Sequence, residues 1–359
     1  MKINKSKSYY RCIYIFFIFL SSIIFFFSTT ESKGEAYKID DVEISKPFEI
    51  KFNKNEVIDE GFYKAFKELI MLITNTADQK KVKDIKLNQI KAMIESFTIK
   101  EEKFVDEIYH LNLGVSFNKK KIFKYLEKKN IFPSIPSKKK FLFIPIIIDE
   151  EKKDLFIFAN NQIYNEWMSN NESHHLIEYI LPAEDLEDLK IIKDKYEYIE
   201  KYDFKEISNK YYLENSIIAL VFKKGKDIRI LSRITIKDDI ILKNKSFENL
   251  NLDNIEEIGE IIQNLKDIYE DHWKNSNQIN TSIKLPLSIK VKGADKQKVL
   301  SFEKILEKED LVYDFFINRY DKDYIIYNII FNGTPNIFLK SMKDGNFIFD
   351  TQNKVWILK

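Results

Sequence analysis

The chain has 359 residues, 44% of them hydrophobic, and a formal net charge of +2, a length that exceeds one typical core and points to two or three domains of about 100–150 residues. Residues 1–36 hold five basic and two acidic side chains, which leaves the remainder at −1, so the body has no sequence-wide pull on nucleic acid or anionic lipid. The single cysteine, Cys12, lies in the leading apolar run, which excludes a disulfide, a thiol nucleophile and a Cys-based metal site in the body.

Lysine is abundant, but only four arginines occur (Arg11, Arg229, Arg233 and Arg319) and Gly and Pro are scarce. The bias toward Lys, Asn, Ile and Phe reads as AT-rich codon use rather than as a phosphate-binding surface. Both signs of charge are interspersed along the expected helices, as in Glu256, Glu257, Glu260, Lys266 and Asp267, a pattern expected of solvated faces.

Lys2, Lys5, Lys7 and Arg11 precede an apolar run over 12–27 without a charge. That order is a signal peptide or an N-terminal membrane anchor within 1–36. The positive-inside rule then delivers everything after Phe27 to the outer side of the inner membrane, a periplasmic address. The apolar length falls between a signal-peptide core and a spanning helix of about 20 residues. Cleavage after Ala36, with Gly34 upstream, and a retained tether through 12–28 both stay open. Cys12 precedes the apolar run and so cannot be a lipobox cysteine.

Residues 37–52 read as a strand, with Val42, Ile44, Phe48 and Ile50. Ile58, Phe62, Phe66, Leu69, Ile70 and Ile73 then recur at helical spacing. A helix over 87–97, strands over 98–104 and 108–117 and a helix carrying Ile122, Phe123 and Leu126 complete an α+β domain, 37–130. The segment 131–137, with Pro133 and Pro136, reads as a linker.

A second domain, 139–274, opens on 141–148, apolar on both faces like a central strand between layers. Helices over 161–168, 183–193 and 204–212 flank a short strand at 177–181, and strands follow at 216–222, 228–236 and 240–247. A long helix closes the domain, with Asp253 expected as N-cap, Glu256 completing a capping box, and Ile255, Ile258, Ile262, Leu265 and Ile268 as its stripe. The expected result is an α/β sandwich with a mixed sheet.

Segment 275–283 is polar and aperiodic and reads as the second boundary. The third domain, 284–359, reads as a strand over 285–291, a helix over 299–307, strands over 312–320 and 324–331, a helix over 335–342 and strands over 347–349 and 355–358, the plan strand, helix, strand, strand, helix, strand (βαββαβ). Thr334 is its expected N-cap and Pro335 the first helical residue. The fold class is thus multi-domain, α+β with α/β.

No phosphate loop, dinucleotide fingerprint, nucleophile elbow or zinc-protease helix occurs. His174 and His175 lie near Glu172 and Glu178, but adjacent side chains of an extended segment point to opposite faces. His110 falls on the polar side of its strand, and His272 extends a helix stripe. Asp149-Glu150-Glu151 lacks the alternating ligands and central Gly of a calcium loop and reads as a turn. The free N–H groups after Thr334 could hold an anion, but no basic residue lies just before them, so capping is the simpler role. Trp167, Trp273 and Trp356 read as core aromatics. No catalytic, cofactor or metal residue is assigned.

The chain resembles an exported, uncharacterised proteobacterial family catalogued as domain of unknown function 2066. The residues that carry the likeness are Tyr37-Lys-Ile-Asp-Asp-Val-Glu43, Ala65-Phe-Lys-Glu-Leu69, Phe141-Leu-Phe-Ile-Pro145 followed by Trp167, and Gly333 with Trp356. These residues bear on fold, and the resemblance lends no catalytic residue. The domain order is also faintly similar to periplasmic flagellar ring proteins and to the amino-terminal fold of the translocation protein TolB, a likeness of plan alone. The expected role is a non-catalytic binding or assembly component that meets other envelope proteins, with no nucleic acid and no cofactor. An exported enzyme or small-ligand binder with an inter-domain site is the alternative.

Overall fold

The computed structural model describes residues 37–169, 175–237 and 239–359; the expected leader, His174 and Glu172 lie outside them. The described residues form a multi-domain α+β protein with three sheets, the second of which has a core on each face.

In the first unit β1 (Lys38–Pro47) leads into α1 (Lys54–Ile73). The short α2 (Thr76–Gln79) and α3 (Leu87–Met93) follow, then β2 (Ile94–Val105), β3 (Ile108–Phe117) and α4 (Lys119–Glu127). The sheet order is β1-β3-β2, all antiparallel. Alternation places Val42, Ile44, Leu111, Leu113 and Val115 on one face, where they meet Phe62, Phe66, Leu69 and Ile73 of α1. Burial of each such side chain is worth about 1.5–3 kcal/mol. The helix expected over 87–97 stops at Met93, because Ile94 is already extended and pairs with Phe117. The opening strand is likewise shorter than expected, ending at Pro47 and leaving Phe48 and Ile50 in the following loop.

The second unit is a three-layer sandwich. Its sheet contains β4 (Lys139–Asp149), β5 (Asp154–Phe156), β6 (Ile177–Ile180), β7 (Asn215–Lys224), β8 (Asp227–Ile236) and β9 (Asp239–Phe247). Strand β4 is parallel to β6 and β7 and antiparallel to β5, so the sheet is mixed. Phe141, Phe143 and Ile147 enter one core and Leu142, Ile144, Ile146 and Ile148 the other. Helices α5 (Gln162–Glu166), α6 (Leu186–Asp194) and α7 (Lys205–Asn209) are each shorter than the periodicity predicts. The closing helix α8 (Ile255–Ser276) is capped by Asn254, whose side chain accepts the Glu256 N–H at 3.0 Å. Glu257 accepts from the Asn254 amide and from the Asn251 N–H. The expected pair Asp253 and Glu256 is therefore displaced by one residue.

The third unit contains β10 (Leu285–Lys292), α9 (Lys296–Lys308), β11 (Val312–Tyr320), β12 (Tyr324–Phe331), α10 (Pro335–Asp344), β13 (Phe349–Asp350) and β14 (Trp356–Leu358). The order is β11-β12-β10-β14-β13. A four-strand βαββαβ sheet would set its last strand antiparallel to the first. Here β13 takes the outer edge and the chain turns back, so β14 runs parallel to β10.

The two segments read as free linkers pair with each other. Ile135 N–H donates to Asn277 O (2.9 Å) and Ile279 N–H to Pro133 O (2.8 Å), around a Ser134–Gln278 bridge. Ile131 and Ile279 are buried in the first core. The second of these segments also begins within α8, which continues to Ser276.

Candidate functional site

Helix α8 mixes two kinds of residue on its inner face. Of the expected stripe, Ile258, Ile262 and Leu265 are buried, together with Ile261 and Tyr269, whereas Ile255 in the first turn is 66% exposed and Ile268 is half-buried; Lys266, Glu270 and Lys274 run beside them at four-residue spacing and are 0%, 3% and 3% exposed. Lys266, read from sequence as part of a solvated face, is thus fully buried. Burying a charge is costly unless it is partnered. Lys266 Nζ donates to Trp167 O (3.0 Å) and lies 5.3 Å above the Trp167 ring and 5.9 Å above that of Tyr179. Glu270 accepts the N–H groups of Ile177 (2.8 Å) and Leu176 (3.0 Å) where β6 begins. Lys274 Nζ donates to Met71 O (2.6 Å) in the last turn of α1, which carries no basic residue of its own there.

Burial raises the Glu270 carboxyl above its ordinary range, with the two N–H groups opposing the shift. Burial lowers the Lys274 ammonium, and the carboxylates of Glu270 and Asp271 oppose that. Next to them Asp271 accepts from the Thr76 N–H (2.8 Å) and hydroxyl (3.0 Å), and Trp273 Nε1 donates to Ser137 O (2.8 Å). This seam of charge satisfies backbone groups on three elements and fastens the second unit to the first. The third unit is tied less deeply. Lys119 Nζ reaches Glu309 O (2.9 Å), Lys120 pairs with Asp314 (2.5 Å), Lys284 pairs with Glu127 (3.1 Å), and Asn332 donates to Ile283 O (2.9 Å).

Other residues singled out from sequence lie apart from the seam or support it. Glu178 pairs with Lys140 across neighbouring strands at 3.4 Å. His110 Nδ1 is 2.8 Å from Ser45 Oγ, and the His272 imidazole is held below its ordinary value by burial and by Lys243. Asp149 accepts the N–H groups of Glu151 and Lys152 and so closes a turn. Thr334 Oγ1 accepts the Ile337 N–H and caps α10. Trp167 stacks on Phe143 with centroids 3.8 Å apart, and Trp356 packs against Phe338 and Phe349. Among the described residues no three His, Cys, Asp or Glu side chains gather as metal ligands, and no helix is long and apolar enough to cross a membrane.

A second feature is exposed. Strands β2 and β3 turn at Asp106-Glu107, both with positive φ (50° and 61°), as a two-residue hairpin of the right twist requires. Around this apex stand Phe104, Val105 and Ile108, joined from the β1–α1 loop by Phe48 and Ile50; Phe48 is 53% and Phe104 57% exposed, and Ile50 is wholly so. The patch is preorganised by aromatic contacts, Phe48–Phe104 at 4.9 Å and Phe52–Tyr109 at 4.9 Å. Sequence reading assigned Phe48 and Ile50 to a strand and did not isolate this tip. Its signal was two apolar pairs flanking short charged turns. In comparisons with known proteins, no family model and no curated protein matches this chain, so its function is argued from these residues.

Proposed function

We propose that this chain is a non-catalytic binding component of a cell envelope, carried out of the cytoplasm by the segment 1–36 and engaging other proteins there. The observation that carries the reading is the group of exposed apolar side chains at the tip, Phe48, Ile50, Phe104, Val105 and Ile108, on a framework braced by buried hydrogen bonds. Patches of this kind on a folded chain mark interaction sites. The buried ionic groups of α8 support the same reading, because the partners described for them are backbone groups of neighbouring elements.

Two measurements test it. A reporter enzyme active only outside the cytoplasm, fused after Ile39, is expected to be active; inactivity removes the envelope assignment. Crosslinking in native cells is expected to capture protein partners through the tip, and the yield is expected to fall when Phe104 and Ile108 are changed to Ser. Capture that is indifferent to the tip, or turnover of a small molecule by the purified chain, overturns the reading.

A further inference from the structure

We infer that the partner of the tip is a second copy of this chain, and that the tip docks on the open sheet face of its third unit. The inference rests on the binding reading above and names the partner. Charge decides the class of partner. Lys46, Lys54 and Lys103 beside the tip are each paired, with Glu60, Glu102 and Glu101. Among the described residues the carboxylates of Glu49, Asp106 and Glu107 form no ion pair, and neither does the Lys51 ammonium between them. Asp106 and Glu107 make the apex, so a bilayer would have to take up two carboxylates before the flanking Phe104 and Ile108, which is costly. The fitting surface is apolar with a cationic rim.

Such a surface lies on the third sheet. Helices α9 and α10 cover the face that carries Leu287, Ile289, Tyr327 and Ile329. Alternation turns Lys290 and Lys292 of β10 and Ile326 and Ile330 of β12 to the other side. Register adds Phe316, opposite Asn328, and Arg319, opposite Ile326; Phe316 is 50% exposed. Lys290 Nζ sits 3.7 Å above the Tyr324 ring, and Lys292 has no carboxylate partner. Arg319 is 3.9 Å from Asp321, whose other carboxylate oxygen accepts backbone N–H groups within its own turn. Of the two carboxylates that register places on this side, Asp314 is paired with Lys120, and Asp350, opposite Ile357 at the far edge of the sheet, accepts the Gln352 N–H at 3.1 Å. The described residues leave side chains of both patches exposed. Because tip and face are different surfaces, the contact is head-to-tail and propagates into a ring or an open row instead of closing as a two-fold dimer.

Sedimentation velocity on the full chain tests this, in mild detergent so that the apolar run 12–27 does not associate by itself. Wild type is expected to grow past the dimer with concentration and to shrink with added salt. A tip variant (Phe104→Ser with Ile108→Ser) and a face variant (Lys290→Glu with Lys292→Glu) are each expected to be monomeric alone. An equal mixture is expected to give a 1:1 pair and nothing larger, since one good tip and one good face remain. That restored pair also shows that both variants are folded. A wild type monomeric at every concentration, variants that assemble like wild type, a mixture that stays monomeric, or flotation of the chain with lipid vesicles through its tip overturns the inference. If the purified chain is monomeric while crosslinking in cells captures another protein through the tip, this inference fails and the binding reading stands.

Discussion

Glu270 shows how a buried charge acts as structure. It is almost inaccessible, yet it serves the N–H groups of Leu176 and Ile177 at the point where β6 joins the sheet. Glu270→Ala would leave both donors buried without an acceptor, at a cost of about 2 kcal/mol, readable as a lower urea midpoint. Glu270→Gln keeps an acceptor and separates charge from hydrogen bonding. Since burial raises the carboxyl above its ordinary value of 4.5, the folded chain holds that proton where the unfolded chain has released it. Its titration contributes stability that is fully present below about pH 4.5 and lost as pH rises through the folded value. Wild type is therefore expected to lose stability relative to the Gln variant over that window, and parallel midpoints for the two proteins across it would refute the assignment. Lys274 has the opposite sign, being lowered from 10.5: its contribution is present above that value and lost as pH falls through the folded one.

At the scale of elements, the sequence was most informative where periodicity is long. The stripe of α1, the central part of that of α8, the two-faced apolar run of β4 and the capped start of α10 stand where their residues indicate. Short elements were less legible. Helices α5 and α7 are five residues each, too brief to display a period; the two final strands were legible near their places, but a strand's own pattern does not say which neighbour it joins, so the parallel pairing of β14 with β10 was not. The charged seam was hidden for a different reason. Lys266, Glu270 and Lys274 look like ordinary solvated helix positions until β6 and the end of α1 are brought against them, and those partners lie about ninety to two hundred residues away. The apolar tip was hidden because its two halves come from separate loops. Cap assignment is a sharper case, since Asp253 and Asn254 are both good capping residues and only backbone geometry chooses between them. Asn254→Ala is expected to cost about 1 kcal/mol and Asp253→Ala much less, and equal losses in thermal unfolding would return the cap to Asp253.

Across the whole molecule the cores are joined rather than strung together. Leu72 packs against the first and second cores, and Leu311 against the first and third. With the Ile135–Asn277 and Ile279–Pro133 bonds, this predicts that unfolding of the first two units is a single event. Amide exchange at Ile135 and Ile279 is expected to be slow and to proceed at one common rate; fast exchange at both, with the rest protected, would show the segments to be independent linkers. The same clasp bears on how the chain comes into being. Lys274 stands 203 positions after the Met71 carbonyl that it serves, and the Ile73 carbonyl waits for Ser134. A polypeptide emerging from its amino terminus therefore presents α1 with an open last turn, and the opening unit stays unfinished until most of its successor has been made. A chain cut short before α8 is therefore expected to hold its first unit less firmly than the whole chain does, as a lower urea midpoint would show.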